Sequence, residues 1–169
     1  EYFEANITPA TAAPITISGW MYPADITAYK TICMLSDKDV TSRYFVLQAR
    51  GTADSSVVSC TARESSSGTA ITTSAYTANV WQHACAVFTN STSRAVYLNG
   101  GNKGTNTTSI TPGSIIDRTS IGRNGDSTPD DYFNGRLAEI AIWTAALTDD
   151  EVLALAKGVS PLRIRRTSL

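Results

Sequence analysis

Apolar residues in this chain recur at every second position far more often than at helical spacing. In residues 15–22, Ile15, Ile17 and Met21 fall on one face of an extended segment. Similar runs cover residues 30–35, 43–49, 56–63, 81–89 and 94–98, with a weaker one at 69–73 and two later ones at 114–122 and 133–143. Asp, Gly, Ser and Thr bound these runs, as turns require. Residues 90–93 read as one hairpin turn, and Asn99 with Gly100 supplies the positive φ angles of a second. Many short strands at such intervals predict an all-β fold, a two-sheet antiparallel jelly-roll β-sandwich.

One short C-terminal helix interrupts this pattern. Thr148 and Glu151 form a capping box, and Leu147 and Val152 form the matching hydrophobic staple. Three acidic residues, Asp149 to Glu151, sit at the positive end of the helix dipole. Gly158 stops the helix, so it is expected over 149–157, with Val152, Leu155 and Ala156 packed on the sandwich.

Composition sharpens this picture. The chain has 18 Ser and 23 Thr among 169 residues, and 42% of residues are hydrophobic. That favours strands and polar turns over disorder. Fourteen basic residues against fifteen acidic ones exclude a protein that tracks nucleic-acid phosphates. No apolar run is long enough for a membrane span. The chain begins at Glu1 without Met, so its original address cannot be read. Glycosylation sequons stand at Asn6, Asn90 and Asn106, as many as such Ser/Thr richness produces by chance. Cys33, Cys60 and Cys85 are too few and too widely spaced for a four-thiolate zinc site. They are expected as buried thiols, with a single disulfide plus one free thiol as the alternative. His83 is the only histidine, which excludes a His–His metal pair.

Two longer segments carry a resemblance. Trp81-Gln82-His83-Ala84-Cys85-Ala86-Val87-Phe88 followed by Ala95-Val96-Tyr97-Leu98-Asn99-Gly100 is one. Ile121-Gly122-Arg123, a polar loop, then Phe133-Asn134-Gly135-Arg136-Leu137-Ala138-Glu139-Ile140-Ala141-Ile142-Trp143 is the other. Together they resemble the laminin G-like, concanavalin A-like jelly-roll superfamily over nearly the whole chain. Glu1-Tyr2-Phe3 resembles the end of its opening strand. Ala138 and Cys85 depart from the usual Asp and aliphatic residue. Residues 1–158 are expected to be the domain and 159–169 a tail or linker. Within the domain, Trp81 and His83 should begin a core strand, Gly135 should allow a close backbone approach or a bulge, and Glu139 should be a structural anchor needing Arg136 or a backbone partner if buried.

The same fold hosts glycoside hydrolases, which need two carboxylates at a defined separation. No E-x-D-x-x-E arrangement and no G-x-S-x-G elbow occurs, so the chain is expected not to be an enzyme. The resemblance implies binding of glycan or a protein surface through loops at the sandwich rim, in some relatives with calcium. The richest oxygen cluster is the loop 124–131, so Asn124, Asp126, Asp130 and Asp131 are the candidate ligand residues, with Tyr132 as an aromatic platform. Calcium would need Asp126 and Asp130 joined by a residue from outside the loop, such as Asp117 or Asn99. Such a module would work outside the cell, on a cell surface or on a virion. The alternative function is a structural decoration or assembly module of a virus particle, docking its tail on neighbouring subunits.

Overall fold

The computed structural model describes residues 1–113 and 115–164. In chain order the strands are β1 (Phe3–Ala5), β2 (Ile15–Pro23), β3 (Lys30–Ser36), β4 (Tyr44–Ala49), β5 (Val57–Arg63), β6 (Ser67–Ala75), β7 (Gln82–Asn90), β8 (Ser93–Leu98), β9 (Gly101–Asn106), β10 (Arg118–Ile121) and β11 (Gly135–Trp143). They form two antiparallel sheets, a six-stranded one in the order β1-β10-β3-β4-β5-β6 and a five-stranded one in the order β11-β2-β7-β8-β9. This is the expected jelly-roll sandwich. β9 escaped the sequence reading because its residues are almost all polar and exposed; pairing with β8, not burial, makes it a strand. β10 is shorter than the segment 114–122 suggested.

Strand alternation builds the core. Phe45, Leu47 and Ala49 of β4 point inward and meet Ala84, Ala86 and Phe88 of β7, among others. The Phe45 and Phe88 rings pack edge to face, 5.1 Å between centroids. β7 is apolar on both faces, which the sequence shows as an unbroken run. Its outward residues Cys85 and Val87 lie beneath helix α1 (Asp149–Ala156), whose Val152 and Leu155 complete a second cluster. Thr148 and Glu151 form the capping box reciprocally: the Thr148 N–H donates to Glu151 Oε2 at 2.7 Å, and the Glu151 N–H donates to Thr148 Oγ1. All three cysteines are free and buried, and burial pushes the Cys33 and Cys60 thiols up to about 12. Past α1, residues 161–163 form a short 3-10 turn and Ile164 packs on the α1 cluster. The remainder of the expected tail, residues 165–169, lies outside the described residues.

Candidate functional site

The register of the six-stranded sheet aligns its outward side chains into rows. One row runs Arg118, Ser36, Tyr44, Arg63, Ser67 across β10, β3, β4, β5 and β6. The next runs Ser120, Met34, Val46, Thr61, Thr69. Gln48 and its partners Thr31 and Ser59 begin a third. This face is mostly polar, and part of it is covered by the loop between β10 and β11. Gly125 lets that loop lie flat: a Cβ there would stand 2.6 Å from the Ser120 Cβ. The Gly125 N–H points at the Met34 sulfur, 3.3 Å away.

The loop touches β4 only at Gln48 and leaves the rest of β4, β5 and β6 open, and a groove of about 390 Å³ remains. Tyr44, Gln48, Thr61, Arg63 and Thr69 line its floor. Asn124, Asp126, Thr128, Asp130 and Asp131 form the wall, and Tyr29 and Arg50 stand at one end. The wall is braced to the floor. Asp131 Oδ2 accepts from Gln48 Nε2 at 2.7 Å, and its carbonyl accepts from the Thr31 N–H at 2.8 Å. Asn124 donates its side-chain amide to Asp130 and Asp131 and accepts from the Thr31 hydroxyl. Asp126 Oδ1 accepts from the Thr128 N–H at 2.9 Å in a local turn. Burial raises the Asp126 and Asp131 carboxyls above the ordinary carboxylate range, and neighbouring Asp130 adds to both shifts. At the floor, Arg63 stacks over the Tyr44 ring, and at the end Arg50 stacks over Tyr29.

The sequence-derived candidates divide. Asn124, Asp126, Asp130 and Asp131 share the groove wall. Tyr132 does not join them; its ring packs edge-on against Tyr2 at 6.1 Å, and its hydroxyl meets Arg123. The proposed calcium set is not assembled. Asp117 accepts from the Lys38 N–H and ammonium and lies with Asp37 and Asp39, the only group of three acidic ligand atoms within 4.8 Å among the described residues. In that group Lys38 pairs with Asp39 and Asp117, and Arg43 with Asp37, so side-chain cations already engage all three carboxylates. Asn99 caps the His83 N–H at 2.9 Å on the other sheet. The groove carboxylates face amide donors, which leaves a poor oxygen cage for a hard cation.

The residues expected as structural anchors also lie on the five-stranded sheet. A Cβ on Gly135 would stand 2.1 Å from the Tyr22 carbonyl oxygen, and its φ is +147°. His83 is buried, yet among the described residues its Nδ1 has no hydrogen-bond partner; burial holds its pKa near 4, so the ring is neutral. Trp81 precedes β7 and is 41% exposed, outside the core it was expected to join. Glu139 is exposed too, because a β-bulge between Ala138 and Ala141 turns it outward at φ +50°. Gln48, Thr61, Arg63 and Thr69 were missed as site residues. Their signal was present: with Tyr44 they occupy the solvent-side positions of three successive strands, and all are polar or aromatic.

A family model described as the concanavalin A-like lectin/glucanases superfamily, of laminin G type, matches residues 1–153. The chain belongs to this superfamily. Among solved structures, a heptameric SAP-like pentraxin from Limulus polyphemus superposes with a TM-score of 0.70 at 17% identity, covering 92% of this chain and 75% of that one. The CBM40 domain of the Ruminococcus gnavus IT-sialidase, bound to α2,3-sialyllactose, gives 0.72 at 15% identity, covering 86% and 84%. Domain 4 of AbnA, a GH43 extracellular arabinanase from Geobacillus stearothermophilus, in complex with arabinotriose, gives 0.73 at 20% identity, covering 88% and 68%. No curated protein matches the chain. These structural neighbours are carbohydrate-binding and pentraxin-type domains, and at such identities the likeness is one of fold. Among the described residues, no helix is long and apolar enough to cross a membrane.

Proposed function

We propose that this superfamily member is a non-catalytic glycan-binding module that holds its ligand in the groove on the outer face of the six-stranded sheet. The observation that carries this reading is the groove's composition. It combines a tyrosine ring, amide and hydroxyl groups that both donate and accept, a guanidinium and carboxylates within about 390 Å³. A sugar presents an apolar ring face and several hydroxyls, and this lining can meet both. The volume lies in the range of small-ligand sites, about 300–1,000 Å³. The wall's internal hydrogen bonds preorganise the site, so little ordering cost accompanies binding. The neighbours' bound sugars favour this reading over that of a virion assembly module. An extracellular or surface location follows from the same reading, since that is where such glycans are presented.

The test is a glycan array that includes α2,3-sialyllactose and arabinotriose, probed with the wild-type chain and with Tyr44→Ala and Gln48→Ala. At least one glycan should bind specifically, and either substitution should weaken that binding by about tenfold. A blank array, or binding indifferent to both substitutions, would refute the groove as the site. Chromatography of the bound glycan after long incubation should show it intact; released product would overturn the non-catalytic part.

A further inference from the structure

Among the described residues, the outer face of the five-stranded sheet is only half covered. α1 hides the row formed by Ser18, Cys85 and Tyr97 and the row beyond it. The helix ends at Ala156, and past that end the sheet presents aromatic rings. Trp20 pairs with His83 on β7 and with Ala138 on β11. Its ring packs edge to face on His83 at 5.5 Å. Trp81 stands beside it, tilted against Tyr22 at 5.6 Å. Trp20, Trp81, Ala138, Glu139 and Gly158 enclose an open, mostly apolar cleft of about 390 Å³.

Glu139 is the unexpected member. Strict alternation after Ala138 would turn it toward the core. The bulge instead sends Ile140 inward, onto Gly19, where an added Cβ would lie 2.2 Å from Ile140 Cδ1. Glu139 is then held outward in a left-handed conformation that non-glycine residues seldom adopt. A carboxylate on this outward position beside two indoles gives an apolar shelf with an acceptor at its edge. One row away, Arg136 stacks over Tyr22 and brings a guanidinium to the same stripe. Arg136 does not line the cleft itself, but its charge offsets that of Glu139 along the stripe, which favours a neutral ligand over a cation. A neutral sugar ring suits the arrangement: its C–H face lies on an indole, and its hydroxyls donate to Glu139.

We propose that this cleft is a second sugar-contacting site, on the opposite face of the sandwich from the groove, with Trp81 as the stacking shelf and Glu139 as the hydroxyl acceptor. It stands on residues that the groove does not use. A module with sites on both faces can bridge two glycan chains, one lying on each face.

The test uses the full chain with the groove disabled by Tyr44→Ala and Gln48→Ala together, and with Trp81→Ala or Glu139→Gln added. Trp81 is partly exposed and Glu139 is exposed, so unfolding temperatures should confirm that all variants fold. Binding is read on the same array and by indole fluorescence titration with each neutral saccharide that scores. The groove-disabled chain should retain a neutral saccharide that shifts indole emission, and Trp81→Ala and Glu139→Gln should each weaken it by about tenfold. The cleft proposal fails if the groove-disabled chain binds no saccharide, or if what it binds is indifferent to both added substitutions. It also fails if tetramethylammonium, and no sugar, quenches the indoles. Loss of groove binding alone touches only the first reading.

Discussion

Gly104 offers a sharp test of how the two sheets close. It lies in β9 opposite Val96, whose side chain is in the core, so a side chain at position 104 would point between the sheets. There it would meet the backbone of β6. A Cβ built on Gly104 stands 1.6 Å from the Ile71 carbonyl oxygen and 2.5 Å from the Ile71 carbonyl carbon. An ordinary carbon–oxygen contact is about 3.3 Å, so Gly104→Ala must force the two strands apart by roughly 1.7 Å. β6 and β9 are edge strands of different sheets, with no ladder between them to share the displacement. The obstacle is backbone rather than a flexible side chain, so the cost belongs high in the overpacking range, about 2–3 kcal/mol. For a domain of this size, that lowers Tm by roughly 4–12 °C. Gly101→Ala is the internal control, in the same strand, with nothing within 4 Å of the added carbon. It should leave Tm unchanged or raise it slightly, by restricting the unfolded chain. Thermal unfolding followed by circular dichroism, with urea midpoints as a second measure, compares the pair. If Gly104→Ala melts within about 2 °C of Gly101→Ala, the close approach of β6 and β9 is not what the sandwich depends on at this edge.

Three further outcomes are expected. Lys30 is 1% exposed and donates to Asp25 at 2.7 Å, so Asp25→Asn should destabilise by about 3 kcal/mol in urea unfolding, by leaving a buried ammonium without its counter-charge. That hydrogen bond also holds the Asp25 carboxyl well below the usual range, so its contribution is present above the unfolded value of about 3.9 and fades as pH falls below it; the gap between wild type and Asp25→Asn should narrow in the same window. Asp131 has the opposite sign. Its raised carboxyl makes the charged form costly in the folded state, so Asp131→Asn should raise Tm at pH 7 and leave it unchanged at pH 3, where both states are protonated. Arg94 is 2% exposed and donates from Nη2 to the carbonyls of Ser91 and Thr108 at 2.7 and 2.8 Å, so Arg94→Met should strand both acceptors and cost roughly 2–4 kcal/mol by calorimetry.

The sequence by itself determined the class of fold, most strand positions and the capped helix. Each of these is a local matter: period-two alternation, turn residues and a four-residue cap are written in neighbouring positions. It also marked Asn124, Asp126, Asp130 and Asp131 as a cluster, because they are close along the chain. Only the tertiary structure decided what that cluster faces. Tyr44, Arg63 and Ser67 come from three strands and share a row only because of cross-strand register, which no single strand specifies. Asp117 was drawn to Lys38, whose ammonium competes for it at 2.9 Å, and so left the set assigned to it. One extra residue in β11 reversed the side on which Glu139 lies, and a bulge of that kind depends on the partner strand, here on the room that Gly19 leaves for Ile140. Local pattern says which residues form strands; where two strands meet, and what stands between them, is settled by packing at long range.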